Sequence, residues 1–145
     1  VRKSALLYSG SNSIKGIVAI MITEISTPTA PKAIGPYNQA LLAQGLIYTS
    51  GQIAINPDTN QFEAGTIEQQ TEQVLKNLRA ILESVGGSLE KALKATVYLR
   101  DMKDFEAMNK VYGSFFANHK PARTTIAVVG LPKDALIEID LVALA

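Results

Sequence analysis

Residues 66–87 constrain the fold more than any other stretch of this chain. Thr66-Ile67-Glu68-Gln69 has the spacing of a capping box, in which a hydroxyl and a glutamine three residues later bond each other's backbone amides. Val74, Leu78, Ile81, Leu82 and Val85 then recur on one helical face, and Gly86-Gly87 supplies a left-handed stop. The spacing therefore predicts a helix that is apolar on one side only.

Most of what surrounds this helix reads as strand. Residues 23–26 form a short candidate, and residues 37–43 and 46–53 form two apolar segments around Gln44-Gly45, the pattern of a hairpin. Asn56-Pro57-Asp58-Thr59-Asn60 closes that region as a loop. Residues 92–99 are apolar and β-branched and predict a strand, followed by Asp101 or Asp104 as the cap of a second helix. Phe105, Met108, Tyr112, Phe115 and Phe116 line one face of that helix, a stripe that reads as packing. Two strands end the chain, at residues 123–129 and 136–144, with the turn Gly130-Leu131-Pro132-Lys133-Asp134 between them. In the last, Ile137, Ile139 and Leu141 alternate with Glu138 and Asp140, so the acids share the face opposite the aliphatic residues.

The residue inventory narrows the chemistry. A length of 145 residues with a hydrophobic fraction of 47% suits one domain with one core. There is no cysteine, which excludes disulfides and thiolate metal sites, and a reducing cytoplasm is the default expectation. No apolar run approaches the roughly 18 residues of a membrane span. The single histidine, His119, has no partner for a catalytic or metal-ligating constellation and is read as a loop residue. The glycines form no phosphate loop. Catalysis without thiol, imidazole pair or metal must rest on substrate positioning, charge and a placed water.

Charge is unevenly placed. Residues 1–21 carry Arg2, Lys3 and Lys15 and no acid, leaving 11 basic against 13 acidic residues in the remainder. That balance weighs against nucleic acid as the main partner. The basic stretch reads either as a targeting peptide or as an upstream extension of a frame whose working start is Met21, and the expected domain boundaries are 1–21 and 22–145.

Five motifs in order carry a resemblance: Ile34-Gly35-Pro36-Tyr37; Thr49-Ser50-Gly51-Gln52-Ile53; Thr96-Val97-Tyr98-Leu99-Arg100-Asp101 with Asp104-Phe105; Pro121-Ala122-Arg123; and Leu131-Pro132-Lys133-Asp134 leading to Ile137-Glu138-Ile139. From residue 23 onward the chain resembles the RidA-type reactive intermediate deaminases, the Rid or YjgF family. The resemblance implies an α+β, chorismate-mutase-like single domain: a mixed six-stranded sheet backed by two helices, assembled as a homotrimer with sites between subunits. It implies hydrolysis of 2-imino acids and their enamine tautomers, such as 2-iminopropanoate and 2-iminobutanoate, to 2-oxo acids and ammonia. No cofactor or metal is implied. The functional link is to pyridoxal-phosphate-dependent dehydratases, which release these intermediates and are damaged by free 2-aminoacrylate.

The resemblance also assigns roles. Arg123 clamps the substrate carboxylate, a task for which arginine's planar fork is built. Glu138 orients or deprotonates the attacking water. Tyr37, Ser50 and Asn109 shape the pocket. Thr125 stands where some members carry cysteine, and Asp140, which has no role by resemblance, is read as an exposed acid or structural partner. Two other readings stay open: an endoribonuclease or translation inhibitor, and a non-catalytic module binding a small carboxylate.

Overall fold

A computed structural model describes the backbone of residues 3–8 and the chain from residue 18 to 145, with side chains described from Met21 onward. The capping box forms as the spacing predicts. Thr66 caps α1 (Ile67–Glu83), its Oγ1 accepting from the Gln69 amide at 3.4 Å while Gln69 Oε1 accepts from the Thr66 amide at 2.9 Å. At the far end Gly86 takes a left-handed φ of 85° and the Gly87 amide donates to the Leu82 carbonyl at 3.0 Å, so the chain turns off the helix toward the sheet.

The strands are β1 (Lys3–Tyr8), β2 (Val18–Ile25), β3 (Ala40–Ala43), β4 (Leu46–Thr49), β5 (Ile55–Asn56), β6 (Gln61–Phe62), β7 (Ala92–Leu99), β8 (Ala122–Ala127) and β9 (Ile137–Leu144). A second helix, α2 (Phe105–Phe115), connects β7 to β8. The main sheet runs β1-β2-β3-β4-β9-β7-β8, and β5 and β6 pair separately as a small hairpin. Only β7 and β8 are parallel; every other neighbouring pair in the sheet is antiparallel. The expected mixed six-stranded sheet is β2-β3-β4-β9-β7-β8, and β1 adds a seventh strand along the edge of β2.

Several strand boundaries differ from expectation: the segment 46–53 is a strand only as far as Thr49, and the strand expected at 123–129 runs from Ala122 to Ala127. The first strand candidate, 23–26, falls in β2, which begins at Val18 and ends at Ile25. Tyr37 does not open a strand: its amide donates to the Gly35 carbonyl at 2.8 Å in a tight turn around Pro36, and β3 begins at Ala40. The second helix is entered through a 3-10 turn, Met102–Asp104, whose cap is Asp101, with its carboxylate accepting from the Lys103 amide at 2.9 Å.

Both helices lie on one face of the sheet. Ile47, Ala95, Val97, Leu99, Ile137, Ile139, Leu141 and Ala143 point toward them and meet Val74, Leu78, Ile81 and Leu82 of α1 with Met108 and Phe116 of the second helical segment. Burying one such aliphatic side chain contributes about 1.5–3 kcal/mol. The opposite face carries Leu41, Tyr48 and Val142 in one cross-strand row and Leu46 with Leu144 in the next. Leu41, Tyr48 and Leu144 are exposed there, an apolar strip with no covering layer among the described residues.

Candidate functional site

The irregular segment after β4 builds the site. Gln52 makes an isolated bridge to β9, its amide donating to the Ile139 carbonyl at 2.9 Å and its carbonyl accepting from the Ile139 amide at 3.1 Å. This brings Gly51 against Glu138, the residue before Ile139. A Cβ on Gly51 would come within 2.8 Å of Glu138 Cδ, so the carboxylate packs directly over bare backbone.

Glu138, Ser50 and Tyr37 line one cleft of about 440 Å³, whose walls include Lys32, Ile34, Gln39, Gln52 and Pro132. The Ser50 hydroxyl donates its one proton to the Asn38 carbonyl at 2.6 Å, so toward a ligand it offers only acceptor capacity. The Tyr37 hydroxyl accepts from the Ile34 amide at 3.4 Å and keeps its own proton for donation. Burial pushes the Glu138 carboxyl above the usual carboxylate range, and the neighbouring Asp140 carboxylate adds to that shift. Asp140 is half-buried on the same face of β9, a structural neighbour of the candidate base.

Arg123 and Asn109 are elsewhere on the subunit. In the parallel ladder Arg123 is opposite Ala95, whose side chain faces the helices, whereas Glu138 is opposite Tyr98 on the other face. The Arg123 guanidinium lies over the Tyr112 ring at 4.6 Å and beside Phe105 at 5.7 Å, both on the helix that carries Asn109. The chain thus assembles two groups of candidate residues on opposite sides of its sheet: Tyr37, Ser50 and Glu138, and Arg123 with Asn109.

Sequence reasoning missed two residues that hold the cleft. Gln39, nearly fully buried, accepts from the Thr27 amide at 2.6 Å and donates to the carbonyls of Thr27, Ala30 and Pro31 at 3.1, 3.2 and 2.7 Å. It fixes the segment that forms one wall. Gln52 was visible only as a letter in the Thr-Ser-Gly-Gln motif; nothing in the sequence shows its bridge. The helical stripe containing Phe105 and Tyr112 packs as expected, yet it also underlies Arg123. His119 is half-buried rather than a free loop residue, its Nε2 donating to the Ala92 carbonyl at 2.5 Å.

Comparison with known proteins places this architecture. A family model described as Endoribonuclease L-PSP matches residues 27–145. A RutC family protein of Pyrococcus horikoshii is 51% identical over 119 residues, covering 82% of this chain and 94% of that protein. Reactive Intermediate Deaminase A, chloroplastic, of Arabidopsis thaliana is 42% identical over 119 residues, 82% of this chain and 64% of its own length. The crystal structure of Escherichia coli TdcF with bound serine superposes with a TM-score of 0.80 at 37% identity, covering 85% of this chain and 98% of that one. With its motifs in order, its six core strands and two helices in place and relatives of this closeness, the chain belongs to the Rid (YjgF) family, the endoribonuclease L-PSP family.

Proposed function

We propose that this protein hydrolyses 2-imino acids to 2-oxo acids and ammonia, at sites formed between copies of the chain. The observation that carries the reading is the half-buried Glu138 carboxylate seated on the bare backbone of Gly51, in a cleft with a free hydroxyl donor at Tyr37. A carboxylate with a raised pKa is a better proton acceptor than an ordinary surface acid.

In this scheme Arg123 of one copy holds the substrate carboxylate at the cleft of the next, leaving the adjacent C=N carbon beside Glu138. Water adds its oxygen to that carbon and gives a proton to Glu138. Glu138 passes that proton to the imine nitrogen, giving the neutral carbinolamine; on collapse the hydroxyl proton reaches nitrogen by the same route, the C–N bond breaks, ammonia leaves and the 2-oxo acid remains. An imine carbon is electrophilic enough for this without a covalent nucleophile. The relative named as a reactive intermediate deaminase and the neighbour with bound serine support a small amino-acid-derived carboxylate as substrate class.

Assembly is part of the proposal. Arg123 and Glu138 face opposite sides of one sheet, so they meet only across an interface, and the apolar strip of Leu41, Tyr48 and Leu144 is a surface such an interface would cover. We infer a homotrimer. Its role would be protective, clearing intermediates released by pyridoxal-phosphate-dependent dehydratases before 2-aminoacrylate damages them, in the compartment where those enzymes work.

The test is release of 2-oxobutanoate from 2-iminobutanoate generated in place by a threonine dehydratase, with semicarbazide competing for the imine and Arg123→Ala alongside. Acceleration by the wild type and its loss in the variant is the expected result. No acceleration by a folded oligomer, with the serine-derived imine also tried, would sink the deaminase reading. The family description also names an endoribonuclease, and RNA cleavage abolished by Glu138→Gln would favour that activity instead.

A further inference from the structure

We propose that Tyr112 is a positioning residue for Arg123, its ring face forming the seat that holds the guanidinium while leaving every donor of the fork open. The proposal rests on the reading in which Arg123 clamps the substrate carboxylate.

Arg123 sits on the edge strand β8 and, among the described residues, has no carboxylate partner. An arginine side chain left to itself samples many rotamers, and ordering it carries an entropic cost. The contacts that restrain it are aromatic: Tyr112 beneath the guanidinium at 4.6 Å and Phe105 at 5.7 Å. An acid in that position would hold the guanidinium equally well, but it would occupy the N–H pairs that a bidentate substrate carboxylate needs. A ring attracts the cation through its face, and the in-plane donors remain free.

Tyr112 is itself well fixed. It is 7% exposed, and its ring stacks on Phe116 at a centroid separation of 4.5 Å. Its buried hydroxyl has no hydrogen-bond partner among the described residues, so the hydroxyl does not explain the placement and the ring does. Asn109 lies between Phe105 and Tyr112 on the same stretch of α2 and is not among the residues that line the cleft with Glu138.

The experiment uses the whole protein with selectively labelled arginine. The side-chain resonances of Arg123 in the wild type should be displaced upfield by the ring current of Tyr112. That displacement should persist in Tyr112→Phe and vanish in Tyr112→Leu, while Arg79, which lies over Phe115 at 4.8 Å, keeps its shift throughout. In function, Tyr112→Leu should raise KM for 2-iminobutanoate and Kd for 2-oxobutanoate about 3- to 30-fold with little change in kcat, whereas Tyr112→Phe should stay within about 2-fold of wild type. In an Arg123→Ala background Tyr112→Leu should cost nothing further.

Ordinary arginine shifts for Arg123 in the wild type would overturn the seat, and that arm needs no variant to fold. Wild-type carboxylate affinity in a folded Tyr112→Leu, or an equal loss in Tyr112→Phe, would overturn it as well. If Tyr112→Leu does not fold, Tyr112→Met, of closer volume, takes its place. Unchanged 2-oxobutanoate affinity in Arg123→Ala would bring down the clamp and the proposal with it, a failure told apart from loss of the seat by the resonances of the unliganded wild type.

Discussion

Gly51 and Glu138 are matched by subtraction: the space where a side chain would stand at position 51 is the space the Glu138 carboxylate occupies. A Cβ there would also come within 3.0 Å of Glu138 Cγ, so the whole end of the side chain would be displaced. Because the displaced group is the flexible end of a side chain, Gly51→Ala should fold. It should nevertheless lose about 10²-fold in kcat, as when a general base is removed, with its melting temperature near wild type. Steady-state kinetics beside a thermal melt checks both halves.

Arg123→Ala should lose about 30- to 1000-fold in kcat/KM, equivalent to roughly 2–4 kcal/mol of transition-state stabilisation. Arg123→Lys should also be impaired, since an ammonium cannot reproduce the two parallel hydrogen bonds. A near-wild-type rate in either variant would remove Arg123 from the mechanism.

The two-sided arrangement predicts complementation. Arg123→Ala and Glu138→Gln, each inactive alone, should regain about a quarter of wild-type activity when denatured together in equal amounts and refolded, because random assembly pairs intact halves at that share of interfaces. Activity that stays at the level of the separate variants would place both residues' work within one chain. Tyr48→Glu, which puts a charge in the apolar strip, should abolish assembly and activity together, read by light scattering and rate.

The raised pKa of Glu138 fixes the sign of two pH effects. In the proposed scheme Glu138 works deprotonated, so kcat should rise with pH through its raised value, and Asp140→Asn should move that limb to lower pH by removing the smaller of the two causes. For stability, the native chain holds this proton more tightly than the unfolded chain does. The contribution is complete below the ordinary glutamate range and is lost as pH rises through the raised value. Glu138→Gln should therefore melt higher than wild type at neutral pH, and the gap should close on acidification.

Gln39→Ala should destabilise the fold by about 2–4 kcal/mol in urea titration, because it leaves the buried carbonyls of Ala30 and Pro31 and the Thr27 amide without their partner. The same variant should raise KM, since the freed segment is a wall of the cleft.

The parts of this structure that were legible in the sequence are those governed by local periodicity. The capping box at Thr66, the stripe from Val74 to Leu82, the strand from Ala92 to Leu99 and the two-faced β9 each announce themselves within a few residues. What stayed hidden depends on partners far away in the chain. The amide of Gln39 and the bridge of Gln52 to Ile139 leave no periodic trace, because a single polar residue looks the same whether it faces water or fastens a loop. Tyr112 was legible as core and illegible as a seat for Arg123, since both demand a buried aromatic ring at the same helical spacing.

The insertion of β7 between β8 and β9 has a consequence for the newly made chain. In the proposed scheme a copy leaving the ribosome has its clamp, Arg123, on one side of the sheet and its base, Glu138, on the other, and neither can cross. On that scheme a lone copy carries two halves of a site and no whole one. Dilution should therefore silence the protein without unfolding it, and specific activity should climb with concentration until every copy has found its neighbours.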